Sequence, residues 1–104
     1  MSERERLPNR RASQTLNVEC GGLRYTATIS HFSDGRLAEI FLTDHKAGSQ
    51  ADTNARDSAI VFSFAVQHGA DPEAIRKALC RDSQGNASGP LAAVLDRIAA
   101  EQER

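Results

Sequence analysis

Between residues 15 and 43 the chain alternates apolar and polar positions, and after residue 53 the spacing becomes that of a helix. In 15–20 (TLNVEC), Leu16, Val18 and Cys20 fall on one face of a strand, with Thr15, Asn17 and Glu19 on the other. Gly21-Gly22 then supplies a two-residue hairpin turn. In 23–31 (LRYTATISH), Leu23, Tyr25, Ala27 and Ile29 are expected inward, and Arg24, Thr26, Thr28 and Ser30 outward. Ser33-Asp34-Gly35 marks a second turn before a third strand over 36–43 (RLAEIFLT). Three strands joined by short turns predict an antiparallel meander whose apolar face needs a cover.

The cover follows in sequence. Residues 44–52 read as a polar loop. From about Thr53 a helix is expected, capped by Asp52 or Thr53, with Ala55, Ala59, Phe62 and Val66 on its core stripe. Ile60 and Phe64 widen that stripe, so this helix is expected to be buried nearly all round. Gly69 closes it. Asp71-Pro72-Glu73 is a helix start, with a cap, a proline at the first helical position and a carboxylate at the positive end of the dipole. The second helix is expected to run to about Cys80, with Ile75, Ala78 and Leu79 inward. Pro90 opens a third helix, in which Leu91, Val94, Leu95 and Ile98 repeat at i, i+3, i+4 and i+7. Strands first and helices after define an α+β domain: a three-stranded antiparallel meander followed by three helices packed on one face, β-β-β-α-α-α.

At 104 residues the chain is long enough for one domain, expected over 14–100. Residues 1–13, with Arg4, Arg6, Arg10 and Arg11, read as a disordered basic arm, and 101–104 as a frayed tail. Nothing resembles a signal peptide or an apolar membrane span, so a cytoplasmic location is expected. A net charge of −1 gives no global attraction to nucleic acid or anionic lipid. Arginine makes up 11 of the 13 basic residues, which suits bidentate contacts with carboxylate or phosphate and equally suits a GC-rich genome.

Three stretches carry a resemblance. They are Asp34-Gly35-Arg36-Leu37-Ala38-Glu39-Ile40-Phe41-Leu42, Lys46-Ala47-Gly48-Ser49, and Phe62 through Gly69-Ala70-Asp71-Pro72-Glu73-Ala74-Ile75. In this order they resemble the TSCPD domain, found near the C-terminus of cobalamin-dependent ribonucleotide reductases and also in short orphan proteins. The resemblance covers about residues 20 to 99. It departs at His45, where the family pattern prefers glycine. It departs again at Ala87-Ser88-Gly89-Pro90-Leu91, which replaces the segment that names the family, so the role of that segment's cysteine is not carried over. The resemblance implies a link to deoxyribonucleotide synthesis through association with a reductase or a nucleotide. It does not imply reductase activity, which needs a large barrel, a radical-forming cofactor and paired cysteines.

The best local candidate for ligand chemistry is the loop His45-Lys46-Ala47-Gly48-Ser49, leading into a helix N-terminus. Free amides, Lys46 and the Ser49 hydroxyl suit a phosphate or carboxylate, with Gly48 permitting the turn and Arg36 and Arg56 adding charge. A well-capped surface loop explains the same residues. Phe41 and Glu39 on the third strand, with Phe32 on the outward phase of the second, suggest a face for a protein partner or a second copy. His31, His45 and His68 lack metal-ligand spacing; His68 suits a helix C-terminus. Cys20 and Cys80 suit core packing, while a nucleophilic role needs a neighbouring base. No cofactor and no catalytic residue is expected. The leading expectation is a non-catalytic binding or regulatory module for a protein partner, such as a ribonucleotide reductase, or for a nucleotide or other phosphate-bearing ligand. The alternative is a nucleic-acid-binding accessory protein using the arginine arm with Arg24 and Arg36.

Overall fold

Two consecutive glycines turn the first hairpin. Gly21 and Gly22 hold φ of 59° and 79°, the left-handed region that a two-residue turn of this hand requires. The computed structural model describes residues 4, 5, 7 and 13–102. Around this turn pair β1 (Ser13–Cys20) and β2 (Leu23–His31), and β2 pairs in turn with β3 (Leu37–Asp44). All pairings are antiparallel and the sheet order is β1-β2-β3. Three helices follow: α1 (Gln50–Gln67), α2 (Pro72–Ala78) and α3 (Pro90–Gln102). This is the expected α+β order.

The register shifts at one end of the sheet. Ser30 pairs with Glu39 but His31 pairs with Leu37, leaving Ala38 as the extra residue. The shift changes the phase of β3, so Leu37 and Ala38 are both buried, as are Ile40 and Leu42 beyond them. Two-residue alternation does not foresee this. It also does not foresee Ser30 and Phe32, each 5 % exposed near the bulge and expected to face outward. Leu23, expected inward, is exposed because it flanks the hairpin turn beyond the reach of the helices.

One core lies between the sheet and the helices. Leu16, Val18, Tyr25, Ile29, Ile40 and Leu42 from the strands meet Ala55, Ala59, Phe62 and Val66 of α1 and Leu91, Val94 and Leu95 of α3. α1 lies along β3, and α3 lies along β1. α2 contributes Ile75 at the margin, joined by its C-cap Leu79, and buries no residue completely, because it is short and peripheral. Ala78 is therefore exposed, as is Cys80, which lies beyond the helix; Cys20 is half-buried against the core.

Local caps explain the helix limits. Ser49, not Asp52 or Thr53, caps α1, its Oγ accepting from the Asp52 amide at 3.1 Å. Asp71 caps α2 by accepting from the Glu73 amide at 3.0 Å, with Pro72 at the first helical position. His68 ends α1, its Nδ1 lying 2.8 Å from the Phe64 carbonyl. Among the described residues, no helix is long and apolar enough to cross a membrane.

Candidate functional site

β3 is an edge strand, and an edge strand presents a row of unpaired amides and carbonyls. Alternation in the ladder turns the main chain of Ala38, Ile40, Leu42 and Asp44 toward that edge. Polar side chains of α1 meet it there. Gln67 Nε2 donates to the Ala38 carbonyl at 3.0 Å. The Ser63 hydroxyl accepts from the Ile40 amide at 3.0 Å and lies 3.1 Å from the Ile40 carbonyl. Asp52 Oδ1 accepts from the Asp44 amide at 3.0 Å. Asp52, Ser63 and Gln67 are all buried, and helical spacing aligns them on one stripe.

The helix thus sheathes the edge and leaves an apolar strip beside it. Phe41 on β3 is 51 % exposed, and Ile60 and Phe64 on α1 are 51 % and 50 % exposed. They border a shallow groove of 290 Å³ whose floor includes Ile40 and Ser63. Val61, 68 % exposed, extends the apolar surface of α1. A guanidinium stands over each aromatic ring, Arg56 at 5.4 Å from the Phe41 centroid and Arg4 at 4.7 Å from that of Phe64. Arg4 also bonds the Gln67 side chain, and the Glu5 amide donates to the Gln67 carbonyl at 2.7 Å. The expectation that α1 is apolar and buried all round is therefore corrected. Its core stripe is Ala55, Ala59, Phe62 and Val66, while Ile60, Val61 and Phe64 lie on the far side of the sheathing residues.

The loop 45–49 is organised by an internal carboxylate. Gly48 donates its amide to Asp52 Oδ2 at 3.2 Å, and Arg56 Nε donates to the same oxygen at 3.0 Å. The Asp44 amide foremost, then those of Gly48 and the Arg56 side chain, hold the Asp52 carboxyl below its ordinary range. The Ser49 hydroxyl caps α1 and lies 2.8 Å from the Lys46 carbonyl and 3.2 Å from Asp44 Oδ2. Lys46 and His45 are exposed, and the surface around them is open and shallow. Arg36 stands at the opposite end of β3, paired with Asp34 Oδ2 at 2.7 Å and Glu5 at 2.8 Å, so it does not converge on this loop.

The interface residues expected from sequence separate in the same way. Phe41 is on the strip. Glu39 is half-buried and borders the groove. Phe32, expected to face outward, is instead buried within the chain under the Arg36 guanidinium, 4.7 Å from the ring centroid, and is not on the strip. Sequence reasoning missed Ile60, Val61 and Phe64 as surface residues. The signal was Ser63 and Gln67, two polar residues inside an apolar run that mark where the helix meets main chain. Arg6, Arg10 and Arg11 lie outside the described residues. Arg24 pairs with Glu19 at 3.4 Å on the exposed face of the sheet. Among the described residues, no group of three or more His, Cys, Asp or Glu side chains is arranged to hold a metal ion.

Fold and strip together define a small α+β domain with one sheathed sheet edge and an arginine-bracketed apolar surface. Its kinship lies with segments of far larger proteins. The chain is 39 % identical over 67 residues to a vitamin B12-dependent ribonucleotide reductase of Agrobacterium fabrum, a match covering 64 % of this chain and 5 % of that protein. It is 36 % identical over 69 residues to a vitamin B12-dependent ribonucleotide reductase of Bradyrhizobium diazoefficiens, covering 66 % of this chain and 6 % of the relative. The chain is therefore similar to a small segment of these reductases, in keeping with the resemblance its sequence carries. No protein-family model matches it, and no solved structure matches it significantly.

Proposed function

We propose that this ribonucleotide-reductase-related module acts by docking on a protein partner of the reductase class through the strip formed by Phe41, Ile60 and Phe64. The observation that carries the reading is three half-exposed large apolar side chains side by side on α1 and β3. Such a surface on a small domain is suited to burial against another protein. The bracketing Arg4 and Arg56 favour a partner that surrounds an apolar ridge with carboxylates. In the relatives, the matching segment belongs to a chain of which it is about one-twentieth, so there it has a large protein surface of the same chain available to it. The anion reading of loop 45–49 has less support, because Asp52 already takes the Gly48 amide and Ser49 already serves as a cap.

Titration of the chain against a purified vitamin B12-dependent ribonucleotide reductase by calorimetry tests the reading. A saturable complex is expected, with Phe64→Ser or Ile60→Asp weakening it by about tenfold or more. Affinity is expected to fall only modestly with salt, through the two rim arginines, because the apolar strip carries most of the contact. A steep loss of affinity for oligonucleotides as salt rises, with no reductase binding, would instead favour the nucleic-acid alternative.

A further inference from the structure

A second cleft, of 460 Å³, lies between the first turns of α1, the end of α2 and the start of α3, and shares no lining residue with the groove beside the strip. Its volume falls in the range of small-molecule sites, roughly 300–1,000 Å³. Leu79, Pro90 and Leu91 make its wall mostly apolar, and among the described residues no charged side chain lines it.

Besides Asn54 and Ser58 of α1, two separate features supply hydrogen-bond donors there. The first is Tyr25, which is 4 % exposed and lines the cleft. Its hydroxyl has no hydrogen-bond partner among the described residues. Every sealed side-chain nitrogen or oxygen among them does have a partner, so the unpaired hydroxyl opens onto space, and the space Tyr25 borders is this cleft. Burial first, then the nearby Asp44 and Cys20, push the Tyr25 pKa up, so the phenol stays protonated and able to donate.

The second is the N-terminus of α3. This helix of 13 residues starts at Pro90, and Pro90, Leu91 and Ala92 all line the cleft. Ala93 reaches back to the Gly89 carbonyl at 3.1 Å, but the amides of Leu91 and Ala92 precede the first intrahelical bond. Among the described residues, no side chain caps them. α1 and α2, by contrast, are both capped by side chains.

We propose that this cleft binds a small, neutral, largely apolar molecule bearing one acceptor oxygen, held between the Tyr25 hydroxyl and the first amides of α3. The absence of a lining charge sets the neutrality. The two donor sets, phenol and amide, set the preference for an acceptor. Cys80, exposed on the rim, reports on occupancy through its thiol.

The test uses benzamide as the probe and toluene, which lacks an acceptor, as the comparison. In amide-resolved NMR titrations of the full chain, benzamide is expected to shift the Leu91 and Ala92 resonances saturably. It is also expected to slow alkylation of Cys80 by iodoacetamide, read by peptide mapping. Tyr25→Phe is expected to weaken benzamide by about tenfold, the effect of one hydrogen bond, and to leave toluene nearly unchanged. Ala51→Phe, a change at the half-buried cleft wall, is expected to block both probes. Absence of a saturable shift at Leu91 and Ala92, or equal affinity in the wild type and Tyr25→Phe, would overturn the proposal. If Tyr25→Phe does not fold, benzamide binding retained in Ala51→Phe overturns it instead.

Discussion

Asp52 places a charged group at the junction of a strand, a loop and a helix, where it accepts main-chain amides from both sides. Its carboxyl is held below the ordinary range. The stability it adds is present above the unfolded-state pKa of about 4 and is lost as pH falls through the lower folded-state value. Asp52→Asn is therefore expected to flatten the acid limb of the stability profile, measured by urea unfolding at a series of pH values below about 5. Ser63 plays the equivalent part without charge. Ser63→Ala leaves the Ile40 amide buried and unpaired, with an expected loss of about 1–3 kcal/mol in the same unfolding measurement. Neither role was legible from local sequence. Asp52 reads as an ordinary cap and Ser63 as an interruption of an apolar run, because their partners lie 8 and 23 residues away on β3.

At the level of elements, α2 depends on its neighbours more than on itself. It has seven residues and no fully buried side chain, so it is too short to persist alone. Arg76 on α2 and Arg81 just after it both bind Asp96 of α3, at 3.1 and 2.7 Å, and Arg76 also bonds Glu73. Arg81, first of these, then Arg76 hold the Asp96 carboxyl below its usual range. The loop between the helices is pinned by the same contact, with Asp82 accepting from the Gln84 and Asn86 amides at 2.9 Å. Asp96→Ala is expected to cost about 1 kcal/mol, because these partly exposed pairs are screened by water. It should also raise hydrogen exchange selectively in 72–88, and a uniform rise over the whole chain would contradict the clamp. Element order and the helix starts at Pro72 and Pro90 were readable, because proline, caps and glycine turns act through their immediate neighbours. The bulge at Ala38 was not, because it is defined by pairing with β2 and by nothing in the residues of β3 alone.

For the molecule as a whole, the core was readable and the surface was not. Phe62, Val66 and Leu95 meet over the strands, with Leu79 at the margin, as periodicity implies. Periodicity cannot distinguish a helix buried all round from one whose second apolar side is left for something else, and α1 is the latter. The strip is thus expected to matter for association and little for folding. Phe64→Ser should shift the unfolding midpoint by no more than a surface substitution does, about 0.5 kcal/mol in equivalent stability, while weakening the reductase complex by about tenfold or more.

The sheathing of β3 also governs how copies of this protein can accumulate. A fibre built by strand addition needs two available sheet margins per molecule, one to accept and one to offer. Here Gln67, Ser63 and Asp52 occupy the margin at β3, while at β1, among the described residues, only Arg97 donates to an edge carbonyl, that of Asn17 at 3.3 Å. Strand-to-strand growth therefore terminates at a closed pair, and the molecule can expose a greasy helix at high concentration without templating an endless ribbon.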